Sequence, residues 1–143
     1  MAIAVKRVYE KAIRADGTRV LVDRLWPRGL SKESAAVHLW LRDLAPSDEL
    51  RKWFHATSNG WIAFRKRYLK ELARPEAARA LEGLHDLVAK RKKVTLLFAS
   101  RNQTQNNATV LKQLLEGMRK PPTGTGPGAV KAWRTRRVAR RSR

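Results

Sequence analysis

The chain has 143 residues, with 32 Lys and Arg against 12 Asp and Glu, no cysteine and a hydrophobic fraction of 43%. That length suits one domain with a real core, the apolar content excludes a wholly disordered chain, and no run approaches the ~18 apolar residues of a membrane span. Without cysteine there is no disulfide, no thiolate nucleophile and no Cys-based metal site. The opening Met1-Ala-Ile-Ala-Val-Lys-Arg lacks the regions of a signal peptide, so a cytoplasmic protein with no membrane partner is expected.

In chain order, Val5–Tyr9 and Arg19–Leu25 read as short strands joined across the turn signal Ala15-Asp16-Gly17-Thr18. Trp26-Pro27-Arg28-Gly29 ends the second strand. Ser31 can cap a short helix over Lys32–Ala36, and the alternation of Val37, Leu39 and Leu41 with polar neighbours predicts an extended segment. Pro46-Ser47-Asp48-Glu49 is a helix start, with Ser47 as cap and two acids at the positive end of the helix dipole.

Trp61, Phe64, Tyr68 and Leu72 recur at helical spacing over Trp61–Ala73. Pro75 suits a first helical position, and Ala77, Leu81, Leu84 and Val88 carry the period to about Lys90. Val94–Ala99 reads as a buried strand, and Val110, Leu111, Leu114 and Leu115 form one face of a helix over roughly 104–117. The order predicts an α/β fold: a small single domain over residues 1–117, with a short, mainly parallel sheet flanked by helices, the middle helices serving as a crossover.

Residues 118–143 contain nine basic residues and no acid, which leaves residues 1–117 still basic by eleven charges. Pro121-Pro-Thr-Gly-Thr-Gly-Pro-Gly128 reads as a flexible linker, and the segment beyond it as a disordered basic C-terminal tail. There Trp133 sits among Arg134, Arg136, Arg137, Arg140 and Arg141. That is the composition of an arm for RNA or DNA, with guanidinium groups on phosphates and an indole on a base. The plainer reading is a solubilising tail. Taken over the whole chain, the charge makes binding of polyanions such as nucleic acid the leading expectation, and the alternative is an enzyme or binding domain for a small phosphate or carboxylate ligand at the Asp23–Gly29 loop.

In open α/β sheets ligands gather beyond the carboxyl ends of the strands. This rule selects Asp23–Gly29 and Ser100-Arg101-Asn102. Arg24 and Arg28 supply donor forks for a phosphate or carboxylate, Gly29 permits close approach, and Ser100 and Asn106 offer polar groups near a helix start. The functional expectation is a pocket for a small anionic molecule or a nucleotide end; the structural one pairs Asp23 with Arg24 or another arginine and buries Trp26. His38, His55 and His85 show no metal-ligand spacing, no cofactor motif occurs, and His55 is the best of them as a general base. Trp40, Trp53, Trp61, Phe64 and Tyr68 suit core packing better than a stacking platform.

Arg19-Val-Leu-Val-Asp-Arg-Leu-Trp-Pro-Arg-Gly29, Trp40-Leu-Arg-Asp-Leu-Ala-Pro-Ser47, Leu50-Arg-Lys-Trp-Phe54, Trp61-x-x-Phe64, Tyr68 and Val94-Thr-Leu-Leu-Phe98 together resemble the YeaO-like bacterial domain of unknown function. The resemblance spans about residues 5–116 and implies a small cytoplasmic α/β domain, with Asp23–Gly29 as its signature and no particular reaction. The chain departs from the family pattern in two places. His55, Ala56 and Thr57 stand where relatives often carry Gly-His-Asp. Asn102-Gln-Thr-Gln105 stands where an acidic, His-containing stretch usually precedes the paired Asn106 and Asn107. If those family residues do acid–base work, this chain has lost part of that set while keeping a histidine at His55.

Overall fold

The computed structural model describes residues 2–118. Four strands form one sheet: β1 (Ile3–Arg7), β2 (Thr18–Leu21), β3 (Leu39–Trp40) and β4 (Val94–Phe98). Their order is β1-β4-β2-β3 and every pairing is parallel, so the expected α/β architecture stands. The helices are α1 (Lys32–Ala35), α2 (Asp48–Ala56), α3 (Trp61–Glu71), α4 (Pro75–Lys90) and α5 (Asn107–Gly117), with single 3-10 turns at Arg14–Asp16 and Arg42–Leu44. Of the linker and tail expected over 118–143, residues 119–143, including Trp133, Arg134, Arg136, Arg137, Arg140 and Arg141, lie outside the described residues.

β4 occupies the centre because it is apolar on both faces, and all five of its residues are buried. Its register aligns Val94 with both Ile3 and Thr18. Side chains alternate across the sheet. Val20, Val22, Val94, Leu96 and Phe98 point to the large core, where Leu50, Phe64, Tyr68, Leu81, Leu84, Leu111 and Leu115 of the four longer helices cover them. Leu21 and Leu97 point the other way, into a small core with Val8, Ala35, Trp26 and Trp40.

That second face also carries a buried ionic cluster. Arg19 Nη1 donates to Asp16 Oδ2 at 2.6 Å, Lys6 Nζ lies 3.1 Å from the same carboxylate, and the other Arg19 nitrogens donate to the carbonyls of Ala35 and Ala36. Burial pushes the Asp16 carboxyl up, but the Ile13 backbone N–H, Lys6 and Arg19 outweigh it and hold the group below its ordinary 3.8.

Several boundaries differ from the sequence expectation. β1 runs over residues 3–7 rather than 5–9, and the turn before Thr18 leads to a strand that does not pair with β1, because β4 lies between them. Gly17 occupies φ +66°, and an added Cβ there would stand 2.4 Å from the Lys93 carbonyl. β2 stops at Leu21 rather than Leu25. Val22 N–H still reaches the Leu97 carbonyl at 3.1 Å, but the next donor of the neighbouring strand, Ala99 N–H, is taken by the Asp23 side chain at 2.9 Å.

The helices keep closer to their signals. Ser47 caps α2, accepting from Leu50 N–H at 3.1 Å, and its own N–H and hydroxyl donate to Glu71 at the end of α3. Pro75 opens α4 as expected. α5 starts at Asn107, later than the expected 104, because Asn106 is its cap and accepts from Thr109 N–H at 2.9 Å. Met118, assigned to the tail by its composition, is 3% exposed and packs in the large core.

Candidate functional site

Beyond the carboxyl ends of β2 and β4 the chain leaves a cleft of about 670 Å3. One wall is the loop Asp23–Arg28, another the loop Ala99–Asn107, and a third comes from Ala45, Pro46 and Arg51, Phe54 and His55 of α2. Asp23, Arg24, Arg28, Ser100 and Asn106 all line it. Gly29 does not; it sits exposed beside the wall at φ +82°, serving the turn.

The polar groups divide into those that hold the cleft together and those left open. Asp23 pairs with no arginine through a hydrogen bond: Oδ2 accepts from Ala99 N–H and Oδ1 from the Asn107 amide at 3.0 Å, so the expected Asp23–Arg24 pair is replaced by a link between the two loops. Burial pushes the Asp23 carboxyl above its ordinary 3.8, against the lowering pull of Ala99, Asn107 and the Arg51 charge. Arg24 turns toward α2 and donates to the Ala45 and Pro46 carbonyls at 3.4 Å. Arg51 pairs with Asp48 at 2.6 Å.

Asn106 spends its oxygen on the α5 cap and its amide on the Asn102 carbonyl, and Ser100 Oγ accepts from Asn102 N–H at 3.2 Å. Both shape the loop. By contrast, the side chains of Arg28 and Arg101 are exposed and have no hydrogen-bond or ion-pair partner among the described residues. They stand on the two loops that Asp23 links.

Arg7 buttresses those loops, and Tyr9, which itself lines the cleft, ties into them. Arg7 donates to the carbonyls of Ala99 and Ser100, its guanidinium lies 5.0 Å from the Tyr9 ring centre, and the Tyr9 hydroxyl donates to the Arg28 carbonyl at 3.0 Å. The apolar part of the lining is Leu25, Trp26, Pro27, Pro46, Phe54 and Phe64. Trp26 is half-buried in the small core, its indole N–H donating to the Leu30 carbonyl at 2.7 Å.

The other aromatic candidates are packing residues. Phe64 and Tyr68 are buried, Phe54 stacks on Phe64 with ring centres 4.4 Å apart, and Trp53 and Trp61 pack against the large core. Trp40 meets Trp26 edge-on and donates its indole N–H to the Asp23 carbonyl. Of the histidines, only His55 lines the cleft; His38 Nδ1 accepts from Arg19 N–H at 2.8 Å and His85 is buried on α4. Among the described residues, no group of three or more His, Asp or Glu is placed to hold a metal ion, and no helix is long and apolar enough to cross a membrane.

Sequence reasoning missed Asn107, Arg51 and Phe54 as members of the site, and it placed Arg101 in the selected segment without giving it a role. The pairing of Asn106 with Asn107 was the available signal: a cap needs one asparagine, and the second has to find another use. Nothing local marked Arg51 or Phe54, which reach the cleft because α2 packs beside it.

Residues 2–124 match the family model described as the inactive DUF488-N3 subclade. The chain is 46% identical over 120 residues to the uncharacterized protein YeaO of Escherichia coli, an alignment covering 82% of this chain and all of that one. It is 43% identical over 115 residues to an uncharacterized protein of Mycobacterium tuberculosis and to one of Mycobacterium bovis, covering 80% of this chain and 94% of each relative. No solved structure matches it.

Proposed function

The chain belongs to the YeaO-like DUF488-N3i family, the inactive DUF488-N3 subclade, and we propose that it is a binding domain for a small anionic ligand, a phosphate or carboxylate compound, in the cleft between the Asp23–Arg28 and Ala99–Asn107 loops. One observation carries the reading: Arg28 and Arg101 offer unpaired guanidinium forks to a cleft whose one lining carboxylate, Asp23, has both oxygens engaged by the fold. A planar fork with free N–H groups fits a phosphate or carboxylate edge and is only weakly hydrated beforehand. The description of the subclade as inactive supports binding over catalysis.

The test is calorimetric titration of the full chain with methyl phosphate and with acetate. Saturable binding that falls about tenfold or more in Arg28→Ala and again in Arg101→Ala is the expected result. Heats that are linear in ligand, or binding indifferent to both variants, overturn the reading.

A second reading is supported by charge alone. The net charge is +20, and its surplus is shared between residues 1–117 and the Arg-rich segment 118–143. This supports salt-sensitive binding of RNA or DNA phosphates, with Trp133, Arg134, Arg136, Arg137, Arg140 and Arg141 as the contacts. Fluorescence anisotropy of the full chain and of a chain ending at Met118, across a salt series, decides it. Affinity that survives about 150 mM salt and drops with the truncation supports nucleic-acid binding; affinity lost by that salt in both removes it.

A further inference from the structure

We propose that the ligand of this cleft is an anion carried on a planar aromatic ring, the phosphate or carboxylate meeting Arg28 and Arg101 and the ring covering Trp26 and Phe54. The inference rests on the anion-binding reading above and names the ligand class. A volume of about 670 Å3 lies within the range of roughly 300–1,000 Å3 typical of pockets for whole organic molecules, and a bare inorganic anion would leave most of it to water. The lining is dual. Beside the two free guanidinium groups stand Leu25, Trp26, Pro27, Pro46 and Phe54, and no free carboxylate balances them.

The Trp26 and Phe54 rings of the wall are braced by other rings and offer no free polar atom. The Trp26 N–H is already used on the Leu30 carbonyl, and its ring is braced edge-on by Trp40 at 5.4 Å. Phe54 stacks on buried Phe64 with ring centres 4.4 Å apart. Both rings remain half-buried, and Leu25 beside them is 63% exposed. What these side chains offer the cleft is apolar surface, which gains by being covered, and flat surface, which gains most when covered by another ring. An uncharged ring would leave the two arginines without a counter-charge. An aliphatic polyanion would find only two open forks and would leave the rings wet. A ring with one anionic group answers both halves of the lining.

The experiment compares matched pairs on the full chain at constant ionic strength: phenyl phosphate against methyl phosphate, and benzoate against acetate. The expected result is about tenfold tighter binding for the ring-bearing member of each pair. Trp26→Ala, and the independently chosen surface variant Leu25→Ser, both reduce that ratio toward one. Equal affinities within the pairs for the unaltered chain overturn this inference while leaving anion binding intact. Failure of all four compounds to bind overturns the anion-binding reading and this inference with it.

Discussion

The Asn107 side-chain amide donates both to Asp23 Oδ1, at 3.0 Å, and to the Val22 carbonyl, at 2.9 Å. One residue at the start of α5 thereby ends β2 and fixes the carboxylate that takes Ala99 N–H from the other side. The cleft has a definite shape because these two positions, 84 residues apart, share a bond.

Asn107→Ala should therefore destabilise the fold by about 1–3 kcal/mol, the usual penalty for leaving buried acceptors without a donor. Urea unfolding at neutral pH measures it. A change under about 0.5 kcal/mol would mean that water replaces the amide.

Asp23 sets a pH dependence of definite sign. Its carboxyl is raised in the folded state, so the folded chain holds this proton more tightly than the unfolded one, and the group's contribution to stability falls as pH rises through the window above 3.8. Asp23→Asn removes that slope. Unfolding free energies measured from pH 4 to 7 should move in favour of the variant with rising pH, and a parallel pair of curves would refute the assignment.

Asp16 works in the opposite direction. Its folded-state carboxyl is lowered, so its contribution is complete above 3.8 and is lost as pH falls below that value. Arg19→Ala leaves Asp16 buried with Lys6 as its remaining ionic partner, and should cost on the order of 3 kcal/mol or more. Thermal and urea unfolding of that variant check the magnitude.

Tyr9→Phe separates positioning from stability. It deletes the bond from the Tyr9 hydroxyl to the Arg28 carbonyl on an exposed side chain. Stability should change by less than about 1 kcal/mol, whereas methyl phosphate affinity should fall about threefold as the Arg28 loop loosens. Titration calorimetry beside a melting curve shows both.

Gly17→Ala tests the close approach of the first turn to Lys93, the residue that leads into β4. At φ +66°, with the Lys93 carbonyl 2.4 Å from an added Cβ, the backbone must shift, and a loss of roughly 2 kcal/mol or more is expected. A melting curve unchanged from the parent would refute it.

Much of the chain was legible without coordinates. The helix α4 is where Pro75 and the spacing of Ala77, Leu81, Leu84 and Val88 put it, and β4 is where the apolar run Val94–Phe98 put it. These features are local: a helix repeats every 3.6 residues and a doubly covered strand is continuously apolar, so each pattern is written within one segment. The cluster of Asp23, Arg24, Arg28 and Ser100 at one end of the sheet was legible by rule, since parallel strands deliver their loops to the same edge.

Tertiary structure decided the rest. That β4 enters between β1 and β2 depends on pairing across more than seventy residues, which no local period encodes. That Asp23 binds Ala99 and Asn107 rather than an arginine follows from this insertion, because it brings the end of β4 beside the end of β2. The same placement leaves Arg28 and Arg101 unpaired on loops of one cleft, while Arg24 and Arg51, equal to them in sequence, are drawn to backbone carbonyls and to Asp48. A guanidinium group is free or engaged according to which acceptors lie within about 3 Å, and those distances exist only once distant segments have packed.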